Sequence, residues 1–242
     1  MQFSSLFNLP NALTLVNLFS GCLAIVFVFN YRIELVPYCI TISLIADFLD
    51  GFAARWTKTS SSIGKQLDSL ADVVSFGLVP GALVYFMLLQ LLERQGSSLS
   101  GLLIMAYSAV GFLLTLFAAL RLAKFNVDER QSDGFIGLAT PAATIFVWGI
   151  LDIFLHNPYG FGWVVQSLFF LYAVTMLLCV LMIAELPMFA FKFKNYGWAG
   201  NEIRYLFIIL SVVLLALFKF AALSFIIVLY ILISIAQKLI KP

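Results

Sequence analysis

Histidine is nearly missing from this chain. His156 is the only one in 242 residues, and the three cysteines, Cys22, Cys39 and Cys179, stand far apart inside apolar runs. Such a sequence lacks the clustered nitrogen and sulfur donors of a zinc site, and its cysteines read as small core or lipid-facing residues rather than disulfides. Charge is scarce as well: charged residues make up 11% of the chain, against roughly a quarter in soluble domains. The first 12 residues contain no lysine or arginine, and no cleavage site follows, so no signal peptide is expected. Proline- or serine-rich linkers, internal repeats and low-complexity tails are absent, and residues 1–242 are expected to form one membrane domain. A net charge of +2 says little about partners, and no nucleic-acid partner is expected.

Hydrophobicity is what the chain has in excess: 63% apolar residues, 25 phenylalanines and a mean hydropathy of +1.06. Apolar runs of about 20 residues cross a bilayer as helices, so the expected fold is all-α, a polytopic transmembrane helix bundle. Helices are expected near 11–30, 35–55, 66–92, 100–123, 138–156, 163–184, 203–219 and 222–238. That makes about eight spans, or seven if the last two, separated by Lys219, form one broken element. The third is too long for a perpendicular span and should tilt or project. With both termini inside, eleven of the 14 cations fall on the inner side (Arg55, Lys58, Lys65, Arg121, Lys124, Arg130, Lys192, Lys194, Arg204, Lys238, Lys241) and three outside (Arg32, Arg94, Lys219). Positive charge collects on the cytoplasmic side, which places both termini there.

Against this background residues 47–72, DFLDGFAARWTKTSSSIGKQLDSLAD, stand out, because they hold a third of all acidic residues. Asp47 and Asp50 are three apart near the end of one helix; Asp68 and Asp72 are four apart near the start of the next. Each pair shares a helix face, and a short polar loop brings both pairs to similar depth at the cytoplasmic rim. Four carboxylates in so apolar a setting repel and need compensation. Arg55 and Lys58 offer it in a purely structural ion-pair cluster. Two divalent cations offer it in a phosphoryl-transfer site, since hard cations take carboxylate oxygens together with substrate phosphates. A cation transporter is a third reading, but it calls for acidic residues near the midplane on several helices. Gly51, Ala54 and Gly64 beside the acidic faces serve either close helix packing or the approach of a bulky ligand, and Arg55 could meet a pyrophosphate.

The stretch Asp50-Gly51-Phe52-Ala53-Ala54-Arg55, eight residues, Gly64, three residues, Asp68, three residues, Asp72 resembles the signature of the CDP-alcohol phosphotransferases, with Asp47 at the upstream aspartate position. The resemblance implies an integral membrane enzyme with a CDP-linked lipid donor. It implies that Asp47, Asp50, Asp68 and Asp72 hold two divalent cations, Mg²⁺ or Mn²⁺, with Asp68 and Asp72 catalytic and Asp72 the candidate base. It also implies that Asp50, Gly51, Ala54, Arg55 and Gly64 line the cytidine and phosphate pocket.

Five further segments, 8–21, 75–80, 119–126, 137–142 and 185–195, are similar to the membrane-embedded, serine-using bacterial branch of that family. This implies CDP-diacylglycerol and L-serine as substrates, membrane lipids as surroundings, a homodimer, and a place in the bacterial inner membrane with the site facing the cytoplasm. Glycerol 3-phosphate or an inositol phosphate is the alternative acceptor. For serine, Arg121 and Lys124 are the candidate cations for the carboxylate, unless they only cap helix carbonyls or anchor the interface. Asn126, Asp128 and Glu129 are candidates for the ammonium. Asn8 or Asn11 can cap the first helix, while Thr14 and Asn17, on one face inside it, make either helix–helix hydrogen bonds or donor contacts. Lys192, Lys194 and Arg204 read as interfacial anchors, and Asn201 as a helix cap. His156 falls in an outside loop and is assigned no chemistry; Glu185 and Asp152 are assigned no role.

Overall fold

The computed structural model describes residues 8–57, 61–94, 99–128, 135–189, 197–198 and 200–240. Lys58, Glu129, Arg130, Lys192, Lys194 and Lys241, named above, lie outside them. The chain is a helical bundle, and each of the eight apolar runs is helical.

Helix α1 (Leu9–Phe29) starts where Asn8 accepts the Asn11 backbone N–H at 2.9 Å, with Pro10 in the first turn, so Asn8 is the cap. Its buried stripe is small and polar: Asn11, Thr14, Asn17, Ser20, Gly21 and Ala24. Short side chains let α2 (Val36–Thr57) come close, and Ser20 Oγ and Ser43 Oγ reach across the pair to Cys39 O (2.9 Å) and Asn17 O (3.2 Å).

Helix α3 (Ser62–Val73) begins four residues earlier than its apolar pattern suggests, because Ser61 Oγ accepts the Gly64 N–H at 3.0 Å. A single π turn, Val74–Leu78, joins it to α4 (Val79–Arg94). The resulting helix is 33 residues long, about 50 Å against a hydrocarbon core of about 30 Å. Pro80 has no N–H to offer Phe76 O one turn back, and Thr144 Oγ1 donates to that carbonyl at 3.3 Å instead. Helix α4 is the centre of the bundle, with Leu83, Met87 and Leu88 fully buried.

Helix α5 (Gly101–Ser108) runs through a 3₁₀ turn, Ala109–Phe112, into α6 (Leu113–Val127). This element crosses α4 where Gly111 meets the Gly81–Tyr85 backbone. Helix α7 (Thr140–His156), the short α8 (Gly162–Val165) and α9 (Leu168–Ile183) follow. Phe135–Ile136 pairs antiparallel with Pro187–Met188. Helices α10 (Glu202–Phe218) and α11 (Ala222–Ile240) are separated at Lys219, whose φ of 48° breaks the helix, and they pack on one another. Asn201 stands at the N-cap of α10 but makes no side-chain cap bond; its amide goes to Gly197 O.

Five helical stretches are long and apolar enough to cross a membrane, whereas α7 and α9, with 17 and 16 residues, are shorter. Phe19, Val26, Ile42, Phe48, Val212 and Leu217 project outward from the bundle. So apolar a surface suits lipid and not water; this is an integral membrane protein.

Candidate active site

Two helix ends and one helix face converge on the carboxylates. Asp47 and Asp50 sit on the last turns of α2, Asp68 and Asp72 on α3, and α1 packs against both. One carboxylate oxygen each from Asp47, Asp50 and Asp68 lies within 4.8 Å of the others. Asp72 stands next to this triad and is buried, with 8% of its surface exposed.

Helix α1 supplies the donors that hold the carboxylates. Thr14 Oγ1 donates to Asp50 Oδ2 at 2.6 Å, and Asn17 Nδ2 donates to Asp72 Oδ1 at 3.2 Å. Asn17 is itself clamped, because its carbonyl accepts from Ser43 Oγ and, at 2.9 Å, from Ser75 Oγ in the π turn. A Cβ on Gly21, one turn along α1, would run into Ser75, so only glycine allows this approach. Thr14 and Asn17 therefore make helix–helix hydrogen bonds, and their acceptors are site carboxylates. Their one visible signal was two buried-type polar residues three apart in an apolar helix.

Two chambers open beside the carboxylates. The smaller, about 280 Å³, is lined by Asp50, Asp68, Gly51, Ala54 and Gly64 together with Asn11 of α1. The larger, about 420 Å³, is lined by Asp47, Asp50, Asp68 and Asp72, by Arg55, and by Arg121 and Asn126 of α6. Sequence spacing put Arg121 in the last turn of its helix. The helix runs on to Val127, so Arg121 caps no carbonyl; it lies inside the bundle, 6% exposed, its guanidinium 5.3 Å from the Phe125 ring centroid. Its Nε is buried without a hydrogen-bond partner, and Asp72 and Asp47 supply its opposing charge. Lys124 is not brought to this chamber: it pairs with Glu185 at 3.4 Å. Asn126 Nδ2 donates to Ser69 Oγ at 2.7 Å, tying α6 to α3.

The donor set fits a hard divalent cation. All the converging atoms are carboxylate oxygens, and Asp68 Oδ1 is buried with no hydrogen bond, a costly state for a carboxylate unless something cationic meets it. Among the described residues no direct ion pair joins any of the four aspartates to a lysine or arginine, Arg55 included; Lys58, the other cation of a structural cluster, lies outside them.

Residues 7–189 match the family described as CDP-alcohol phosphatidyltransferase. The chain belongs to that family. The CDP-alcohol phosphatidyltransferase match takes in all four aspartates and both chambers, and ends before α10 and α11. Among curated proteins, the chain is 34% identical over 218 residues to a CDP-diacylglycerol–serine O-phosphatidyltransferase of Helicobacter pylori, covering 88% of this chain and 84% of that one. A protein of the same description from Bacillus subtilis is 33% identical, over 62% of this chain and 77% of that one. Another, from Methanocaldococcus jannaschii, is 36% identical over 58% of each chain.

Proposed function

We propose that this chain transfers the phosphatidyl group of CDP-diacylglycerol to the hydroxyl of L-serine, giving phosphatidylserine and CMP, at the cytoplasmic face of a bacterial inner membrane. The observation that carries the reading is the carboxylate triad at the junction of a glycine-walled chamber and one holding a buried, incompletely bonded arginine. The activity for which these relatives are named supports the choice of donor and acceptor. Eight spans, both termini cytoplasmic and a homodimer belong to the same proposal. The inner-side excess of lysine and arginine supports the orientation, and family resemblance supports the dimer. The whole chain is proposed as one domain, and the packing of α11 on α7 supports this.

The roles follow from the chambers. The cytidine takes the smaller chamber, where Gly51, Ala54 and Gly64 leave room, and its diphosphate reaches toward the larger one, which Arg55 lines. Two divalent cations, Mg²⁺ or Mn²⁺, held by Asp47, Asp50, Asp68 and Asp72, would neutralise the diphosphate and ease departure of CMP. Serine takes the larger chamber, its carboxylate on Arg121 and its ammonium toward Asn126 and the aspartates. Asp72 accepts the hydroxyl proton, the serine oxygen bonds to the lipid-bearing phosphorus, and the phosphorus–oxygen bond to CMP breaks. Asn17 keeps one oxygen of Asp72 occupied, which fixes the direction of the other.

The test is CMP release from CDP-diacylglycerol by purified protein, with serine, glycerol 3-phosphate or an inositol phosphate as acceptor. Release should require serine and Mg²⁺ or Mn²⁺, and EDTA should return it to background. Release only with a phosphorylated acceptor would remove serine from the proposal. A second expected result concerns Asn17→Leu, which keeps the volume but not the donor. Its kcat should fall about 10–100-fold with little change in KM; unchanged kcat would show that Asp72 needs no such support.

A further inference from the structure

The two chambers share part of their walls. Asp50, Gly51, Lys65 and Asp68 line both. A donor with its nucleoside in one chamber and its reacting phosphorus facing the other must lay its diphosphate across that boundary. Two of the shared residues are carboxylates and one has no side chain. Among the described residues, Lys65 is thus the one cation common to both walls; Arg55 and Arg121 line only the larger chamber.

Lys65 is held at this place from two directions. Its backbone stands in the first turns of α3, where its N–H bonds to Ser61 O at 3.1 Å. Its Nζ donates to Asn126 O, near the end of α6, at 3.1 Å. An ammonium has three N–H donors, so two are left for a ligand. The side chain is exposed at the chamber mouth, where a flexible point charge can follow a phosphate as it leaves.

Resting on the proposed donor, we infer that Lys65 is a catalytic residue that binds the phosphate departing with the nucleotide. As the acceptor oxygen bonds to the lipid-bearing phosphorus, the bond from that phosphorus to the CMP oxygen breaks and its electron pair stays on CMP. The negative charge that develops there is met by the Lys65 ammonium, which costs no proton and leaves Asp72 its own task. An interaction that strengthens with this charge accelerates the step and holds the CMP product.

A purely structural role, tying α3 to α6 through Asn126 O, makes different predictions. Lys65→Gln keeps an N–H donor for that carbonyl and removes the charge; Lys65→Arg keeps both. Full-length protein in detergent with Mg²⁺ is titrated with CMP and, separately, with cytidine, and turnover is measured with CDP-diacylglycerol. In Lys65→Gln, CMP binding and kcat should each weaken about tenfold or more, as for a lost charge-assisted hydrogen bond. Cytidine binding and the acceptor KM should stay within about twofold, and Lys65→Arg should recover most of the loss. CMP binding and kcat unchanged in Lys65→Gln would overturn the inference, as would equal losses in Gln and Arg variants accompanied by lower thermal stability. Wild-type protein that binds no CMP would sink the donor reading and this inference together. Wild-type protein that binds CMP but ignores serine would remove only the acceptor, with the CMP titrations still deciding on Lys65.

Discussion

Asp68→Asn should reduce metal-dependent CMP release about a thousandfold, about 4 kcal/mol in the activation barrier, in a protein that remains folded. Asp68 contributes one corner of the carboxylate triad, and its Oδ1 is buried without a hydrogen bond. Asparagine has the same shape, so the packing of α3 survives, but one anionic oxygen of three is lost to any cation bound there. The same substitution relieves repulsion among carboxylates held within 4.8 Å. Without added metal the variant should therefore melt no lower than wild type. Mg²⁺ or Mn²⁺ should raise the melting point of wild type, because a ligand that binds only the folded state stabilises it, and should raise that of Asp68→Asn much less. Thermal melts in detergent with and without metal, beside CMP assays, read both effects. A variant keeping more than about a tenth of wild-type turnover would remove Asp68 from the reaction.

The second large effect concerns stability rather than chemistry. A Cβ on Gly111 would lie 2.6 Å from Tyr85 N and 2.8 Å from Gly81 O. These are backbone atoms of α4, the most buried helix, and they cannot swing aside as a flexible side chain would. Gly111→Ala must push the α5–α6 element off the core, at a cost of about 3 kcal/mol, which lowers the melting temperature by about 10 °C in a chain of this size. Because α6 also carries Arg121 and Asn126 to the larger chamber, residual folded protein should show reduced turnover. Gly101→Ala is the control, since a Cβ there meets nothing within 4 Å. If Gly111→Ala melts with Gly101→Ala, the close crossing is not what holds these helices together.

The acidic hairpin was legible because aspartates are costly in apolar helices and their spacing of three and four allows only shared faces. The helical runs were legible for the same kind of reason, since bilayer thickness sets their length. Neighbour identity was not. Periodicity placed Thr14 and Asn17 on one face of α1, but it could not say that this face meets Asp50 and Asp72. Lys124 and Arg121, three apart, looked equivalent. In the structure Arg121 faces the aspartates, while Lys124, on the same side but about one turn farther along α6, meets Glu185 instead.

What the sequence determined by itself is therefore the class of protein and the inventory of its site. An apolar composition dictates membrane helices, and a dense aspartate motif inside them demands compensating positive charge. Only the tertiary structure decided which donors orient those carboxylates, and that Lys65 stands where two chambers meet. Those outcomes depend on how closely helices cross, and that distance is set by glycines, serines and a π turn distant in sequence from the residues they position.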